Sequence, residues 1–139
     1  MDLTFTASEE AFAAEVRSWL AEHVEHPGPF GSVDDEVDWG RSWQATLAAA
    51  RMLAISWPDS VGGRDASPVE VALYNMEYAR SGAPQPINRV GISHVGPTLL
   101  ARGTLQQQQR WMPAILDASE LWCQLFSEPD AGSDLAALR

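Results

Sequence analysis

The strongest constraint on the fold is a helix-starting signal that occurs three times along this sequence. A Thr or Ser stands three residues before a Glu or Gln in the pairs Thr6 and Glu9, Ser67 and Glu70, and Thr104 and Gln107. In such a capping box each side chain bonds the backbone amide of the other residue, which satisfies two amides that a helix leaves unpaired at its start. Apolar residues at helical spacing follow each box. The sequence therefore predicts three helices that begin at these points.

Stop signals and apolar stripes extend the helical prediction. The first helix should end at the Pro- and Gly-rich segment 27–31, and a second helix is predicted over residues 34–54. One face of each carries large apolar side chains, which are Phe12, Val16, Trp19 and Leu20 in the first helix and Trp39, Trp43, Leu47 and Ala50 in the second. Both helices are therefore expected to pack one face against a core.

The helix that follows has the clearest boundaries in the chain. Ser67 is its predicted N-cap, a Pro is its first residue and Gly82 is its C-terminal stop. Its apolar residues cover more than one face, which predicts a central helix that is nearly surrounded by others. Two further helices are expected, one over residues 87–103 and one that starts at the last capping box and is bent or interrupted at Pro113.

The character of the sequence changes after residue 120. The run "LWCQLF" at 121–126 is almost wholly apolar and predicts a strand, and a loop rich in Gly, Ser and carboxylates follows at 127–134. The sequence thus predicts an all-α fold for residues 1–120. Residues 121–139 are predicted to begin a β domain with this strand and loop.

Composition excludes several classes of function. The net charge is −10 and the nine basic residues are all Arg, so the chain offers no basic surface for nucleic acid and no Lys for Schiff-base or Walker-type phosphate chemistry. No apolar run approaches the ~20 residues of a membrane-spanning helix, and the acidic N-terminus lacks the pattern of a signal peptide. The single Cys excludes an internal disulfide. We therefore expect a cytoplasmic protein that binds neither nucleic acid nor membrane.

The loop at 130–134 is the best candidate site that the residues themselves indicate. Gly132 and Ser133 could turn backbone amides and a hydroxyl towards an anionic ligand, as in an anion-binding nest. A surface turn, in which Asp130 and Asp134 bond their own backbone, explains the same residues and is favoured by the pattern alone. The spacing of the carboxylates does not fit an EF-hand, and no metal site is expected.

Three stretches, taken together, resemble the acyl-CoA dehydrogenase family. Residues 121–136, "LWCQLFSEPDAGSDLA", resemble the family signature of an apolar pair, Ser or Thr, Glu-Pro and Ala-Gly-Ser-Asp. Residues 57–63, "WPDSVGG", resemble its Trp-Pro…Gly-Gly turn, and residues 91–116 resemble the helices before the signature. The resemblance covers nearly the whole chain. It does not extend to the β domain and the C-terminal four-helix bundle that complete a family member.

The resemblance implies where an FAD cofactor and an acyl-CoA substrate would lie. The strand and loop would contact the cofactor, chiefly its flavin ring, through Gln124, Leu125, Phe126, Ser127, Gly132 and Ser133. Gly132 would allow close approach, and Ser133 would contact either the cofactor or the CoA thioester. Gly91 and Val95 would lie at the floor of the acyl pocket. The absence of a side chain at Gly91 would leave room there for bulky acyl groups.

The resemblance also implies a reaction. Family members remove the α-proton of an acyl-CoA thioester with a Glu and transfer the β-hydride to flavin N5, and the electrons then pass to an electron-transferring flavoprotein. That Glu belongs to the C-terminal helices, so no catalytic residue is expected in this chain, and the chain alone is expected to be inactive. A homo- or hetero-oligomer is expected. The alternative is a non-catalytic helical subunit that pairs with a complete homologue.

Overall fold

A computed structural model describes residues 4–125, 127–129, 131–134 and 136 of the chain. In this part of the chain the helices are α1 (Ala7–His23), α2 (Val33–Ala49), α3 (Pro68–Ser81), α4 (Gly96–Arg102) and α5 (Leu105–Leu116). A 3₁₀ turn at Asp59–Val61 precedes α3, and a π-helix at Gly91–Val95 runs directly into α4. The prediction of an all-α fold is confirmed.

All three predicted capping boxes are present. At the start of α1 the Thr6 side chain accepts a bond from the Glu9 amide, and the Glu9 carboxylate accepts one from the Thr6 amide at 2.7 Å. The boxes at α3 and α5 are reciprocal in the same way. Helix α3 ends at Gly82 with φ +68°, a left-handed conformation that favours Gly. The beginnings of three helices were therefore correctly predicted from local sequence.

The interiors of the later helices differ from the prediction at two prolines. The helix predicted over 87–103 changes into a π-helix, because Pro97 has no amide hydrogen to donate to the carbonyl of Ser93. Helix α5 instead continues through Pro113 to Leu116, so of the predicted bend or interruption the interruption does not occur. Helix α2 ends at Ala49, before the predicted residue 54, because the chain turns through positive φ at Arg51 and Ala54.

The main core lies between α1, α3 and the end of α2. Helix α1 packs most extensively on α3, and the two sides contribute mainly aliphatic and aromatic side chains, among them Phe12, Val16, Leu20, Leu47, Leu73 and Tyr78. A second cluster, formed by Trp57, Met112 and Ile115, joins α5 to the turn after α2. Burial of these side chains supplies the main favourable free energy of folding.

A buried carboxylate joins α1 to α3. The side chain of Glu77 is 3% exposed and forms ion pairs with Arg17 at 2.9 Å and Arg80 at 2.8 Å. The hydrogen bonds from Arg17 hold the pKa of the Glu77 carboxyl below its usual value, in spite of its burial. The negative charge is therefore retained, and it links Arg17 of α1 to α3.

The prediction that α3 is nearly surrounded is wrong for the described residues. Its buried positions are Leu73, Glu77 and Tyr78, which lie on the side that faces α1 and the core. Val69 and Met76 are exposed large apolar side chains on the same helix. An apolar pattern on two faces indicates burial only where a neighbour covers both faces, and the described residues cover one.

The predicted strand is not formed in the described residues. Residues 121–125 have no regular secondary structure, and the described residues contain one antiparallel bridge, between Glu128 and Ala131. Leu125 is 91% exposed. A strand needs a neighbour with which to pair, and the described part of the chain provides none here. In that same part, no helix combines the length and the apolar character that crossing a membrane requires.

Candidate functional site

A cavity of about 400 Å³ opens beside α3. Its walls are the turn at 53–56, one face of α3 and the segment 85–93 that leads into the π-helix. Aliphatic and aromatic side chains form much of the lining, including Leu53, Ile55, Val71, Tyr74, Tyr78 and Ile92. This volume lies within the range of about 300–1,000 Å³ that is typical of small-molecule sites.

Two tyrosines on α3 present their rings to the cavity and their hydroxyls to the backbone. The Tyr78 hydroxyl donates to the carbonyl of Pro84 at 2.5 Å, and the Tyr74 hydroxyl donates to the carbonyl of Met52. Burial raises the pKa of both phenols, so both hydroxyls remain protonated donors near neutral pH. The two ring centroids lie 5.5 Å apart. The rings are tilted by 38° to each other, and together they form an aromatic wall of the cavity.

Four other polar side chains of the lining have no partner within the described residues, whereas the Ser93 hydroxyl donates to the Arg89 carbonyl at 2.6 Å. Ser56, Asn75, Gln85 and Arg89 have no side-chain hydrogen bond or ion pair to any described residue. Arg89 is also the only charged residue in the described lining. The cavity therefore combines an apolar wall with hydrogen-bonding groups that are available to a ligand.

The turn "WPDSVGG" supports the wall at 53–56. The Trp57 indole is buried and lies against Gly96, where a Cβ would be 3.0 Å from Cε2 of the ring and closer still to its outer edge. Gly63 approaches the Trp57 backbone in the same close manner, and Gly62 has φ +91°. The amides of Arg64 and Ala66 both donate to the Ile55 carbonyl at 3.0 Å. The backbone geometry thus explains why Gly occupies both positions 62 and 63 of the motif.

The structure does not bring Gly91 and Val95 into this cavity. A Cβ at Gly91 would lie 2.5 Å from Oδ1 of the buried Asn88, so the space that we expected to be open for acyl groups is filled by the Asn88 side chain. Val95 packs against the cluster around Trp57. The lining residues of this segment are Arg89, Ile92 and Ser93. Gly91 and Val95 therefore lie outside the lining of this cavity, to which the same segment contributes other residues.

A buried amide network lies behind this segment. Gln44 donates to the carbonyls of Ile115 and Leu116 at 2.8 and 3.0 Å, and its Oε1 accepts the Asn88 amide at 2.9 Å. The Asn88 side chain donates to the carbonyls of Ile115 at 3.1 Å and Glu120 at 2.9 Å. Its Oδ1 accepts the Trp122 amide at 3.0 Å. Asn88 is 1% exposed. It therefore joins the cavity wall to the segment that leads into residues 124–133.

The residues expected to contact a flavin lie at the surface. Gln124, Leu125, Ser127, Gly132 and Ser133 are all exposed, and Phe126 lies outside the described residues. Gly132 has open space around its Cα, and its φ is not in the left-handed region. We find no conformational requirement for Gly at this position in the chain itself. Along the sequence, the apolar Leu125 stands between the Gln124 amide and the Ser127 hydroxyl. Such a combination can contact one face of an aromatic ring and bond its polar edge.

A tight turn forms in the loop between these residues. The amides of Glu128 and Ala131 each donate to the other residue's carbonyl, at 2.8 and 3.1 Å. Asp134 accepts a bond from the amide of Ala136 at 3.1 Å, as expected for a surface turn, whereas Asp130 lies outside the described residues. No group of three or more His, Cys, Asp or Glu within the described ranges is placed to hold a metal ion.

Comparisons with known proteins agree on one family. The family described as "Acyl-CoA dehydrogenase, N-terminal domain" matches residues 6–119. The acyl-CoA dehydrogenase IpdE1 of Mycobacterium tuberculosis is 43% identical over 137 residues, which are 93% of this chain and 35% of that protein. The acyl-CoA dehydrogenase FadE26 of the same organism is 33% identical, over 100% of this chain and 36% of its own length.

Solved structures give the same result. The ChsE4-ChsE5 complex from Mycobacterium tuberculosis matches with a TM-score of 0.74 and 30% identity, over 100% of this chain and 35% of the matched chain. The Tcur3481-Tcur3483 steroid ACAD matches with a TM-score of 0.71 and 30% identity, over 99% of this chain and 36% of that chain. The sequence thus spans about a third of the length of the relatives that it matches. The chain belongs to the acyl-CoA dehydrogenase family, in which it corresponds to the N-terminal helical domain.

Proposed function

We propose that this chain is the N-terminal part of an FAD-dependent acyl-CoA dehydrogenase that introduces an α,β double bond into an acyl-CoA thioester. Residues 1–120 form the helical domain, and residues 121–139 begin a middle β domain. The single observation that carries this proposal is the side chain of Asn88, which bonds the backbone at Glu120 and Trp122 from within the cavity wall. Asn88 thereby connects the wall of a ligand cavity to the start of the segment that would face the flavin.

The residues of this chain would bind and orient rather than react. Gln124, Leu125, Phe126, Ser127, Gly132 and Ser133 would hold the cofactor, with Ser133 also close to the CoA thioester. FAD supplies the hydride acceptor. The cavity would enclose the acyl group and exclude water from it, and its phenols, whose pKa values are raised by burial, would not exchange protons with the substrate near neutral pH. The Glu that removes the α-proton lies in the family's C-terminal helices.

We further propose that the acyl group is bulky and contains a ring. The broad aromatic wall of Tyr74 and Tyr78, with Val71 and Ile92 beside it, suits a rigid apolar group better than a thin chain. One of the solved relatives is a steroid ACAD. We place the protein in the cytoplasm, with an electron-transferring flavoprotein as acceptor. We also propose a homo- or hetero-oligomer, since two of the similar structures carry the names of two proteins each.

Those paired names support a second candidate, a non-catalytic subunit that pairs with a complete homologue. The two candidates differ in whether the protein that carries this chain holds FAD and reacts by itself. A subunit of the second kind would need its partner for both properties.

The proposed function predicts a clear difference between the chain alone and a full-length protein that contains it. We expect the full-length protein to keep its flavin absorbance through desalting and to be bleached anaerobically by a suitable acyl-CoA. We expect the 139-residue chain to be helical and colourless, because one loop cannot bury the large surface of FAD. Stoichiometric flavin with turnover from the short chain would contradict the domain assignment. Flavin and turnover that appear only after a homologue is added would favour the second candidate.

Gly132 allows the flavin contact to be tested without loss of the fold. We expect Gly132→Val to leave thermal unfolding of the full-length protein nearly unchanged, since a Cβ there meets no atom within 4 Å. It should weaken FAD retention about tenfold or more, because a branched side chain would stand between the loop backbone and the ring. Gly28→Val is the matched control, as a Cβ at Gly28 also meets nothing within 4 Å. Equal FAD retention in the two variants would show that Gly132 does not contact the flavin.

A further inference from the structure

The proposed function assigns no role to Arg89, the one charged side chain in the described lining of the cavity. We propose that Arg89 binds an oxygen substituent of the acyl group beyond the thioester, a carboxylate or a ketone, so that the substrate is an oxygenated acyl-CoA rather than a hydrocarbon one. This inference rests on the proposed function, and it adds the chemical class of the substrate.

The other arginines show that Arg89 is unusual. Most described guanidinium groups are paired within the fold: those of Arg17, Arg51, Arg64, Arg80 and Arg110 with carboxylates, and that of Arg41 with backbone carbonyls. Among the described arginines only Arg89 and Arg102 lack a side-chain partner in the described residues. Arg102 lies in the last turn of α4, where the helix dipole stabilises a cation.

Arg89 has no such explanation in the fold. It lies in the first turn of the helical segment that continues into the π-helix, and the partial positive charge of a helix start disfavours a cation there. It is exposed and lines the cavity. Its backbone carbonyl accepts the Ser93 hydroxyl at 2.6 Å, but its guanidinium group has no acceptor among the described residues. No side-chain contact within the described residues accounts for Arg89, and its side chain is available to a ligand in the cavity.

The surroundings of Arg89 favour an oxygen ligand. The chain carries 19 acidic residues, yet none of the described lining residues is acidic, so an approaching carboxylate meets no local repulsion. Ser56, Asn75 and Gln85 add donors that have no side-chain partner in the described residues. A guanidinium group presents five N–H donors in a planar fork that matches a carboxylate with two parallel bonds.

These donors are exposed to solvent in the described residues, and a hydrocarbon acyl group that covered them would leave them without an acceptor. A site that desolvates donors without supplying acceptors loses affinity, and sites built to bond an oxygen reject the analogue that lacks it far more strongly than apolar pockets reject an extra methylene. The apolar wall of Tyr74 and Tyr78 lines the same cavity, so it would hold the hydrocarbon part of the same molecule. The CoA moiety also carries phosphates that a guanidinium could bind, and the experiment must distinguish this source of anion.

The test compares three acyl-CoA thioesters of equal carbon number in the full-length holoenzyme: an unsubstituted one, one with a ketone and one with a terminal carboxylate. Each is assayed for kcat/KM by dye reduction and for Kd by calorimetry. The proteins are wild type, Arg89→Gln, and Arg102→Gln, which removes the same charge outside the cavity. We expect Arg89→Gln to lose about 10- to 100-fold on the two oxygenated thioesters. On the unsubstituted thioester we expect a change of less than about twofold, and Arg102→Gln should match wild type on all three.

Each outcome decides the inference. A larger loss for the carboxylate identifies an ion pair, equal losses for both oxygenated thioesters identify a hydrogen bond, and both support the inference. An equal loss on all three thioesters would assign Arg89 to CoA and overturn it, as would no loss on any. If calorimetry shows Arg89-dependent binding of an oxygenated thioester without flavin reduction, the inference stands and the proposed reaction fails. If no thioester binds, both fail.

Discussion

Replacing Gly63 by Ala is expected to destabilise the chain by about 3 kcal/mol or more, above the usual cost of overpacking. A Cβ at residue 63 would lie 2.7 Å from the Cα of Trp57 and closer still to its carbonyl group. These are backbone atoms, so no rotamer change can relieve the overlap. The turn has to open, and the amide bonds of Arg64 and Ala66 to the Ile55 carbonyl would be lost with it. Thermal and urea unfolding followed by circular dichroism would measure the loss.

Gly28→Ala provides the matched control for this substitution. It makes the same chemical change in a Gly that meets nothing within 4 Å of an added Cβ, and we expect it to alter the free energy of unfolding by less than about 0.5 kcal/mol. If Gly63→Ala is as stable as Gly28→Ala, Gly63 does not hold the turn in close contact with the Trp57 backbone. The wall of the cavity at 53–56 would then lack the support described above.

Features that depend on a few consecutive residues were predictable from sequence. A capping box needs only two side chains three residues apart, so the starts of α1, α3 and α5 are readable without any tertiary contact. The stop at Gly82 is equally local. The apolar stripes of α1 and α2 also identified core residues, because a helix buries a continuous face.

Features that depend on distant partners were not predictable in the same way. The run at 121–126 has the composition of a strand, but the neighbouring strands that would pair with it are absent from the described residues, and Leu125 is exposed. Gly91 was assigned to the acyl pocket. The π-helix and the buried Asn88 instead turn that face towards the core. A wider helical turn changes which side chains share a face, and sequence periodicity assumes a constant turn.

The polar residues of the site were missed for a related reason. Asn88 and Arg89 stand together in an otherwise apolar segment, and that contrast was the available signal. A polar side chain in an apolar helix can bond a buried partner, a ligand or solvent. Sequence alone does not say which, because the partners of Asn88 lie in α5 and the segment after it. The structure separates the two residues, with Asn88 buried in the network and Arg89 in the cavity.

Replacing Asn88 by Leu is expected to cost about 2–4 kcal/mol and to lower the melting temperature by roughly 10 °C. The substitution keeps a side chain of similar size and removes three hydrogen bonds, to the carbonyls of Ile115 and Glu120 and from the amide of Trp122. The Ile115 carbonyl keeps its bond from Gln44, but the other two groups would lose their partner. The Leu methyl groups would also have to occupy the space that the amide fills beside Gly91.

The position of Asn88 makes a further effect measurable beyond stability. If it supports the flavin-facing segment, then amide hydrogens at 120–125 should exchange faster in Asn88→Leu than those of α1, under conditions where both variants are folded. In the full-length protein this variant should also release FAD more readily, although Asn88 lies in the core and outside the expected flavin contacts. Gln106→Leu is the matched control, because Gln106 is exposed on α5, lies outside the cavity lining and has no side-chain bond to any described residue. Uniformly faster exchange over the whole domain with unchanged FAD retention would show that Asn88 only stabilises the core. The cavity wall and the flavin segment would then not be coupled through Asn88.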